Sequence, residues 1–385
     1  MTPEKRPAED EEEQEAKKLK EDSTAAVSEA AQDDTSQDSV GSDSTSSTDP
    51  EKKRLSLPEH RGTVVYTGCT QWEYIGRRNL KGIPAMLHHV PRRLAAFRGI
   101  RVAYVASHCS AAHTIVISEE GKVFSLGRNE KGQLGIGDTE VRAGVNPMDT
   151  MSEFTVVAAA VGRNHTLLLT DRGSVFACGD NKSGQCGVGN TTAVLHTPSR
   201  ISFKEGKVVK VAVDAKKRPY SWGFGGYGRL GHAEPKDEYI PRLIKYFDGH
   251  NRGVEKVFCG STFTIACSAL GVFLWGQTKR TGEANMYPKP LQDLFGWDVR
   301  AVGCSTTSIV VAADDSVIAW GPSPTYGELG LGENVKSSTQ PKEVKTLEGA
   351  HVEQITCGMG HTVMLVRDET EQDKEILGRL KEITL

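Results

Sequence analysis

Short apolar runs separated by small polar turns recur along this chain. Leu167-Leu168-Leu169 is followed by Asp171-Arg172-Gly173 and then by Val175-Phe176-Ala177-Cys178-Gly179. That order predicts a strand, a tight turn and a second strand. A proline and a further strand, such as Phe154 to Ala159, complete the unit. Four short strands in roughly fifty residues is the size of one β-propeller blade. The fold class is therefore all-β, a propeller built of repeats.

Two interleaved signatures set the period. A glycine-anchored loop appears as Gly-Arg-Asn-Glu-Lys-Gly-Gln-Leu-Gly at 127–135 and Gly-Asp-Asn-Lys-Ser-Gly-Gln-Cys-Gly at 179–187. It returns at 223–231 and, one residue longer, at 321–330. Before the anchor glycines stand small-residue turns ending in His-Thr: Ser110 to Thr114, Gly162 to Thr166 and Gly358 to Thr362. Gly260 to Thr264 carries Phe263 in place of His. Trp222, Trp275 and Trp320 each precede an anchor glycine, a position from which a flat ring can pack one blade on the next. Anchors at Gly68, Gly127, Gly179, Gly223, Gly276 and Gly321 predict six blades. A repeat fold of this kind places function on a surface shared between repeats.

Composition divides the chain. Residues 1–50 carry 5 Lys+Arg against 15 Asp+Glu, and the remainder 42 against 35. Residues 1–60 hold no Trp or Phe and are predicted to be a disordered acidic tail. The propeller is placed at 61–370, with a short C-terminal tail at 371–385 for which a helix is one expectation. The mildly basic body favours an anionic partner or the tail folded back over it. Within the tail, Lys5-Arg6 and Lys17-Lys18-Leu19-Lys20 have the spacing of a bipartite nuclear import signal. Two basic anchors on one flexible linker bind an import receptor together, the second gaining from effective concentration. No stretch reaches membrane-spanning length, so membrane insertion is not expected. Eight cysteines, none in a CxxC pair, are read as small buried hydrophobes of a reduced intracellular chain.

Catalytic and metal constellations are not found. His113, His165 and His361 recur without acidic or Cys co-ligands. They are read as structural, each fixing its own turn by hydrogen bonds to backbone. Gly223 to Gly228 matches a GxGxxG loop only loosely, with no helix after it. No cofactor is expected.

The pattern of Trp-Gly, five residues, Gly-Gln-Leu-Gly and then Cys-Gly-x-x-His-Thr resembles the regulator of chromosome condensation repeat. Ser221-Trp222-Gly223-Phe224-Gly225-Gly226-Tyr227-Gly228-Arg229-Leu230-Gly231 and Ile309-Val310-Val311-Ala312-Ala313-Asp314 agree more closely with one vertebrate paralogue of that family. The resemblance covers about residues 62 to 370 and implies seven blades, one more than the anchors count. Val208 to Val213 looks like the first strand of one repeat, yet Asp214 to Pro219 runs straight into Tyr220-Ser221-Trp222. By resemblance, about one repeat is missing at 213–219. An alternative isoform, an incomplete gene model and a true six-bladed ring all fit.

The resemblance also implies partners. In the founding member the short turns grip a small GTPase with acidic and His side chains. Here those turns carry Ser110, Ala111, Arg163, Asn164, Ser261, Thr262, Met359 and Gly360, none acidic. Ser110, Arg163, Asn164, Ser261, Thr262 and Met359 are the expected partner-binding residues, with Arg77 and Arg78 on a flank. The expected function is a non-enzymatic nuclear and mitotic regulator binding a Rac- or Ral-type GTPase, chromatin or nucleosomes, and microtubule-associated partners. The implied locations are the nucleus, chromosomes, spindle and midbody, with some protein in the cytoplasm. Guanine-nucleotide exchange and direct chromatin or nucleic-acid binding through the basic body are the alternatives.

Overall fold

The computed structural model describes residues 54–72, 75, 87–182, 184–189, 192–201, 217–223, 225–278, 283–321, 326–335 and 337–385. The acidic tail to residue 53 with both basic clusters, Arg77, Arg78, the stretch 202–216 and the side chain of Trp222 lie outside the described residues.

The chain opens with strands β1 (Gly62–Cys69) and β2 (Leu87–Leu94). Blade 1 follows as β3 (Val102–Ala106), β4 (His113–Ser118), β5 (Val123–Gly127) and β6 (Val145–Pro147). Blade 2 is β7 (Val156–Val161), β8 (His165–Thr170), β9 (Val175–Asp180) and β10 (Val194–Ile201). Blade 3 shows two strands among the described residues, β11 (Tyr220–Gly223) and β12 (Glu238–Leu243). Blade 4 is β13 (Val254–Cys259), β14 (Phe263–Ser268), β15 (Gly271–Gly276) and β16 (Asn285–Pro290). Blade 5 is β17 (Val299–Cys304), β18 (Ile309–Ala313), β19 (Ser316–Gly321) and β20 (Ser338–Glu343). Then come β21 (Val352–Cys357), β22 (His361–Arg367), helix α1 (Glu371–Arg379) and β23 (Glu382–Ile383).

The sixth blade uses both halves of the chain. β1 pairs antiparallel with β22 from Gly62–Arg367 to Gly68–His361, and with β2 on its other side. The strands β21-β22-β1-β2 thus make the sixth blade, and a single bridge from Gly62 to Val102 continues its sheet into blade 1. The C-terminal segment locks it. Thr370 and Asp373 form a capping box at the start of α1, and Asp373 also receives Arg367 at 2.9 Å. Ile376, Leu377 and Leu380 enter the core against Leu347, Val352 and Val366. β23 then pairs with β2 at Arg93 and Leu94.

All five described inner strands carry the same register shift after their first residue, at Val102, Val156, Val254, Val299 and Val352. A bulge at a fixed place adds the same local twist to each blade. The anchor loops explain the recurring residue types. Asn129 and Asn181 accept from the backbone N–H of Leu134 and Cys186, each at 3.1 Å, and so close the loop from within. Gln133 accepts from Lys131 N–H at 2.8 Å, and Glu328 holds the same place, accepting from Tyr326 N–H at 3.0 Å.

Neighbouring blades join through the carbonyl of that same loop position. Thr166 donates to Gln133 at 2.8 Å, Thr264 to Arg229 at 3.1 Å and Thr362 to Glu328 at 2.8 Å. The Trp-Gly position adds to the joint. Trp275 Nε1 donates to the Arg229 carbonyl at 2.9 Å, and a Cβ built on Gly231 would lie 2.9 Å from that same nitrogen. Only glycine lets the indole sit there. Trp320 packs with Phe263 and Ile265 of blade 4, the blade before its own.

The histidines differ from expectation. They do not bond the backbone of their own turns. His113 Nε2 meets Thr166 Oγ1 of blade 2 at 3.0 Å, and His361 Nε2 meets Thr114 Oγ1 of blade 1 at 2.8 Å. Because Thr166 spends its own proton on Gln133, His113 must donate from Nε2. Its bare Nδ1 is buried without a partner, as is that of His361. The turn supplies only room. A Cβ on Gly162 would come within 2.2 Å of the His165 ring, and one on Gly358 within 2.0 Å of His361.

Two outcomes follow from this packing. Trp275→Ala is expected to cost about 3–5 kcal/mol, the usual loss for a buried aromatic, measurable by urea unfolding. Burial pushes the His113 and His361 pKa values down to about 3 from the ordinary 6.5. Their contribution is therefore intact above pH 6.5. It is lost as pH falls from there toward 3, because only the unfolded chain takes up protons in that window. The double variant His113→Phe/His361→Phe, copying Phe263, should show a shallower fall of melting temperature between pH 7 and pH 5 than the parent. Parallel curves would remove the histidines as the cause.

Candidate partner-binding face

The turns that follow the five described inner strands share one face of the ring, because each joins the end of an inner strand to the next strand out. Around the axis these turns touch. Met359 N–H donates to the Ala111 carbonyl at 2.8 Å, and Thr306 Oγ1 to the Cys109 carbonyl at 3.3 Å. Ser107 N–H donates to Thr356 Oγ1 at 2.7 Å, tying β3 to β21. The face is thus pre-formed by backbone contacts rather than assembled by a ligand.

The expected binding residues take different roles on it. Arg163 is exposed at the tip of the blade 2 turn, and Asn164 beside it is half-buried. The Asn164 carbonyl is used inside the blade, accepting Asp180 N–H at 2.8 Å. Ser110 Oγ lies 2.9 Å from His108 Nδ1. Thr262 donates to the Gln277 carbonyl at 2.5 Å, and the Ser261 carbonyl receives Arg229 at 2.9 Å. Met359 is packed against the apolar cluster of Tyr66, Trp72 and Val363. Of the six described candidates, Arg163 extends furthest toward solvent with a charge.

A regularity among the cysteines had not been expected. Cys109, Cys259, Cys304 and Cys357 stand four residues before His113, Phe263, Ser308 and His361. The last three end their inner strands, and Cys109 lies three residues beyond the end of β3. Blade 2 places Val161 there. All four thiols line a cavity of about 380 Å3 framed by the inner strands. Burial raises each of their pKa values, Cys109 to about 11 and Cys357 to about 12, so they stay protonated at neutral pH. Among the described residues no group of His, Cys, Asp or Glu is arranged to hold a metal ion. A larger cavity of about 630 Å3 lies beside β11, walled by Tyr220, Phe263, Trp275, Cys259 and Arg229. Arg229 is already committed there, reaching from blade 3 to the Ser261 turn of blade 4.

The arrangement offers shape, exposed hydrogen-bonding turns and a positive tip. It suits recognition of another macromolecule.

Comparison with known proteins agrees. The family model of the regulator of chromosome condensation (RCC1) repeat matches residues 120–169, 172–213, 218–267 and 314–365. One match stops at 213 and the next starts at 218, at the junction where a repeat is missing by resemblance. The chain is 38% identical to the protein RCC2 homolog of Danio rerio over 424 residues, covering 86% of each. It is 38% identical to protein RCC2 of Homo sapiens over 431 residues, covering 87% of this chain and 83% of that one. Both aligned stretches exceed the 385 residues of this chain, so the relatives carry internal segments without a counterpart here. Among solved structures, Prp20p of Saccharomyces cerevisiae superposes with a TM-score of 0.53 at 15% identity, covering 84% of this chain and 95% of that one. That structure was described together with binding of Prp20p to Gsp1p and histones. A second structure holds Prp20, yeast RCC1, bound to Kap60, with the same TM-score and 15% identity, covering 90% and 98%. At this identity the likeness is one of fold. The repeat matches and the vertebrate relatives together make this chain a member of the regulator of chromosome condensation repeat family, of the RCC2 kind.

Proposed function

We propose that this protein is a non-enzymatic regulator that binds a small GTPase through the face of its His-Thr turns and acts in the nucleus and in mitosis. The observation that carries the reading is the blade 2 turn. It presents an exposed Arg163 on a rigid, backbone-tied scaffold. Arginine combines apolar contact with a fixed fork of donors and is a frequent anchor in protein interfaces. Membership of the RCC2 group supports a chromosomal and cell-cycle role, and by resemblance the GTPase is of Rac or Ral type. The binding of Gsp1p and histones described for Prp20p supports a GTPase and a nucleosomal partner for a propeller of this form. Chromosomes, spindle and midbody are the proposed sites of action.

Exchange catalysis is the competing reading, because the yeast fold relative is one that binds a GTPase. The described turns carry no acidic side chain to displace a nucleotide, which favours binding without turnover. A mant-GDP release assay separates the two. Stoichiometric slowing or no effect supports the regulator, and acceleration at substoichiometric protein supports the catalyst. Arg163→Glu is expected to reduce GTPase capture by roughly tenfold or more, as for an interface anchor, with the melting temperature unchanged. Full capture by this variant would move the interface to another face.

The acidic leader is proposed to bind a nuclear import receptor through Lys5, Arg6, Lys17, Lys18 and Lys20. The complex of Kap60 with yeast Prp20 supports import-receptor recognition in a protein of related fold. Replacing Lys17, Lys18 and Lys20 together by Ala should slow nuclear entry of a fluorescent fusion, because one of two basic anchors is gone. An unchanged import rate would remove the assignment.

A further inference from the structure

Residues 54–60 fall in the acidic tail by composition, yet the structure lays them across the propeller on the face opposite the His-Thr turns. Leu55 N–H donates to the Asp171 carbonyl at 2.8 Å, and Arg54 pairs with the Asp171 carboxylate at 3.6 Å. Leu57 packs against the apolar cluster of Ile117, Val123 and Met151. His60 reaches Glu353 of blade 6 at 3.3 Å, and Arg61 reaches Glu119 of blade 1 at 3.9 Å. This strap bridges blades 2, 1 and 6. Between its two half-buried leucines stands Ser56, exposed to solvent.

The local sequence is Lys52-Lys53-Arg54-Leu55-Ser56-Leu57. Basic residues two and three places before a serine, with a large apolar residue immediately after it, is the pattern a kinase reads with an acidic groove and an apolar pocket. We propose that Ser56 is the phosphoacceptor of a basophilic protein kinase, and that its phosphate releases the strap from the propeller. In the transfer, Ser56 Oγ attacks the γ-phosphorus of kinase-bound ATP. The new O–P bond forms as the bond to the β,γ-bridging oxygen breaks, ADP leaves, and the hydroxyl proton passes to the kinase's base.

Docked and kinase-bound states exclude each other. A kinase binds its substrate extended, so Leu57 must leave its apolar seat and the Leu55 amide must leave Asp171. After transfer, a charge of about −1.5 to −2 sits two residues from Arg54. It competes with Asp171 for the guanidinium and repels the Asp171 carboxylate, which is only 12% exposed and therefore poorly screened. Both effects favour the free strap. The strap is held by one backbone bond, weak ion pairs and one leucine, so its local opening free energy lies at the low end of the molecule.

The test uses the full chain, ATP and the catalytic subunit of the cyclic-AMP-dependent kinase. Tandem mass spectrometry should find phosphate at Ser56, and Ser56→Ala should abolish that product. Asp171→Asn, which loosens the docked state, should raise the initial rate roughly two- to fivefold, the range for loss of one exposed ion pair. Hydrogen exchange should then show the Leu55 amide deprotected in the phosphorylated protein and protected in the unmodified chain and in Ser56→Ala. Phosphorylation of a peptide spanning 50–60 but not of the chain would overturn the proposal. So would incorporation confined to other residues, or phosphate at Ser56 with the Leu55 amide still protected.

Discussion

A single backbone carbonyl joins neighbouring blades at three junctions of the ring. The second residue of each Gly-x-Leu-Gly loop turns its carbonyl toward the following blade, where a threonine hydroxyl takes it. Gln133, Arg229 and Glu328 differ in charge and shape, yet Thr166, Thr264 and Thr362 meet them identically. The side chain at this position is free to vary because the contact uses main chain. Two of the three still close their own loop with a side-chain oxygen. The buried threonines cannot find water instead, so each joint is costly to leave open.

That joint explains how much was legible from residues alone. Anchor glycines, loop asparagines and the Trp-Gly position are local demands of backbone geometry and close packing, so they print themselves at a fixed period. Partners across blades do not. His113 lies 53 positions from Thr166, and His361 lies 247 from Thr114. Nothing in either turn names the other. A histidine in a tight turn was read as bonding that turn, when the glycine beneath it serves only to let the ring lie flat. The cysteine four residues before the turn's His, Phe or Ser was visible as a spacing in four repeats. Its shared cavity became apparent only once the strands were arranged around one axis.

The docking of the leader's last residues has a similar cause. Leu55 and Leu57 are two apolar residues in a charged and polar neighbourhood, too few to mark a strand or helix. Their seat is made by blades 1 and 2, so it exists only after the propeller has formed. Among the candidate binding residues, Arg163 was legible as exposed because its turn is short and its neighbours are small. Met359 was not, since its burial depends on Tyr66 and Trp72 arriving from the other end of the chain.

The sixth blade sets a condition on how the protein is made. β1 is among the first strands to leave the ribosome, and its partner β22 is among the last. Throughout synthesis β1 can pair with β2 on one side only. Its other edge, backed by the fully buried Val64, Val65 and Tyr66, waits as an apolar template for strand addition. Pairings this distant in sequence form slowly, after the loop-closure entropy of nearly the whole domain has been met. The nascent chain is therefore open to misassembly until its final strands emerge. Chaperone demand should track the time between synthesis of Gly62 and release of Arg367 more closely than the stability of the finished ring.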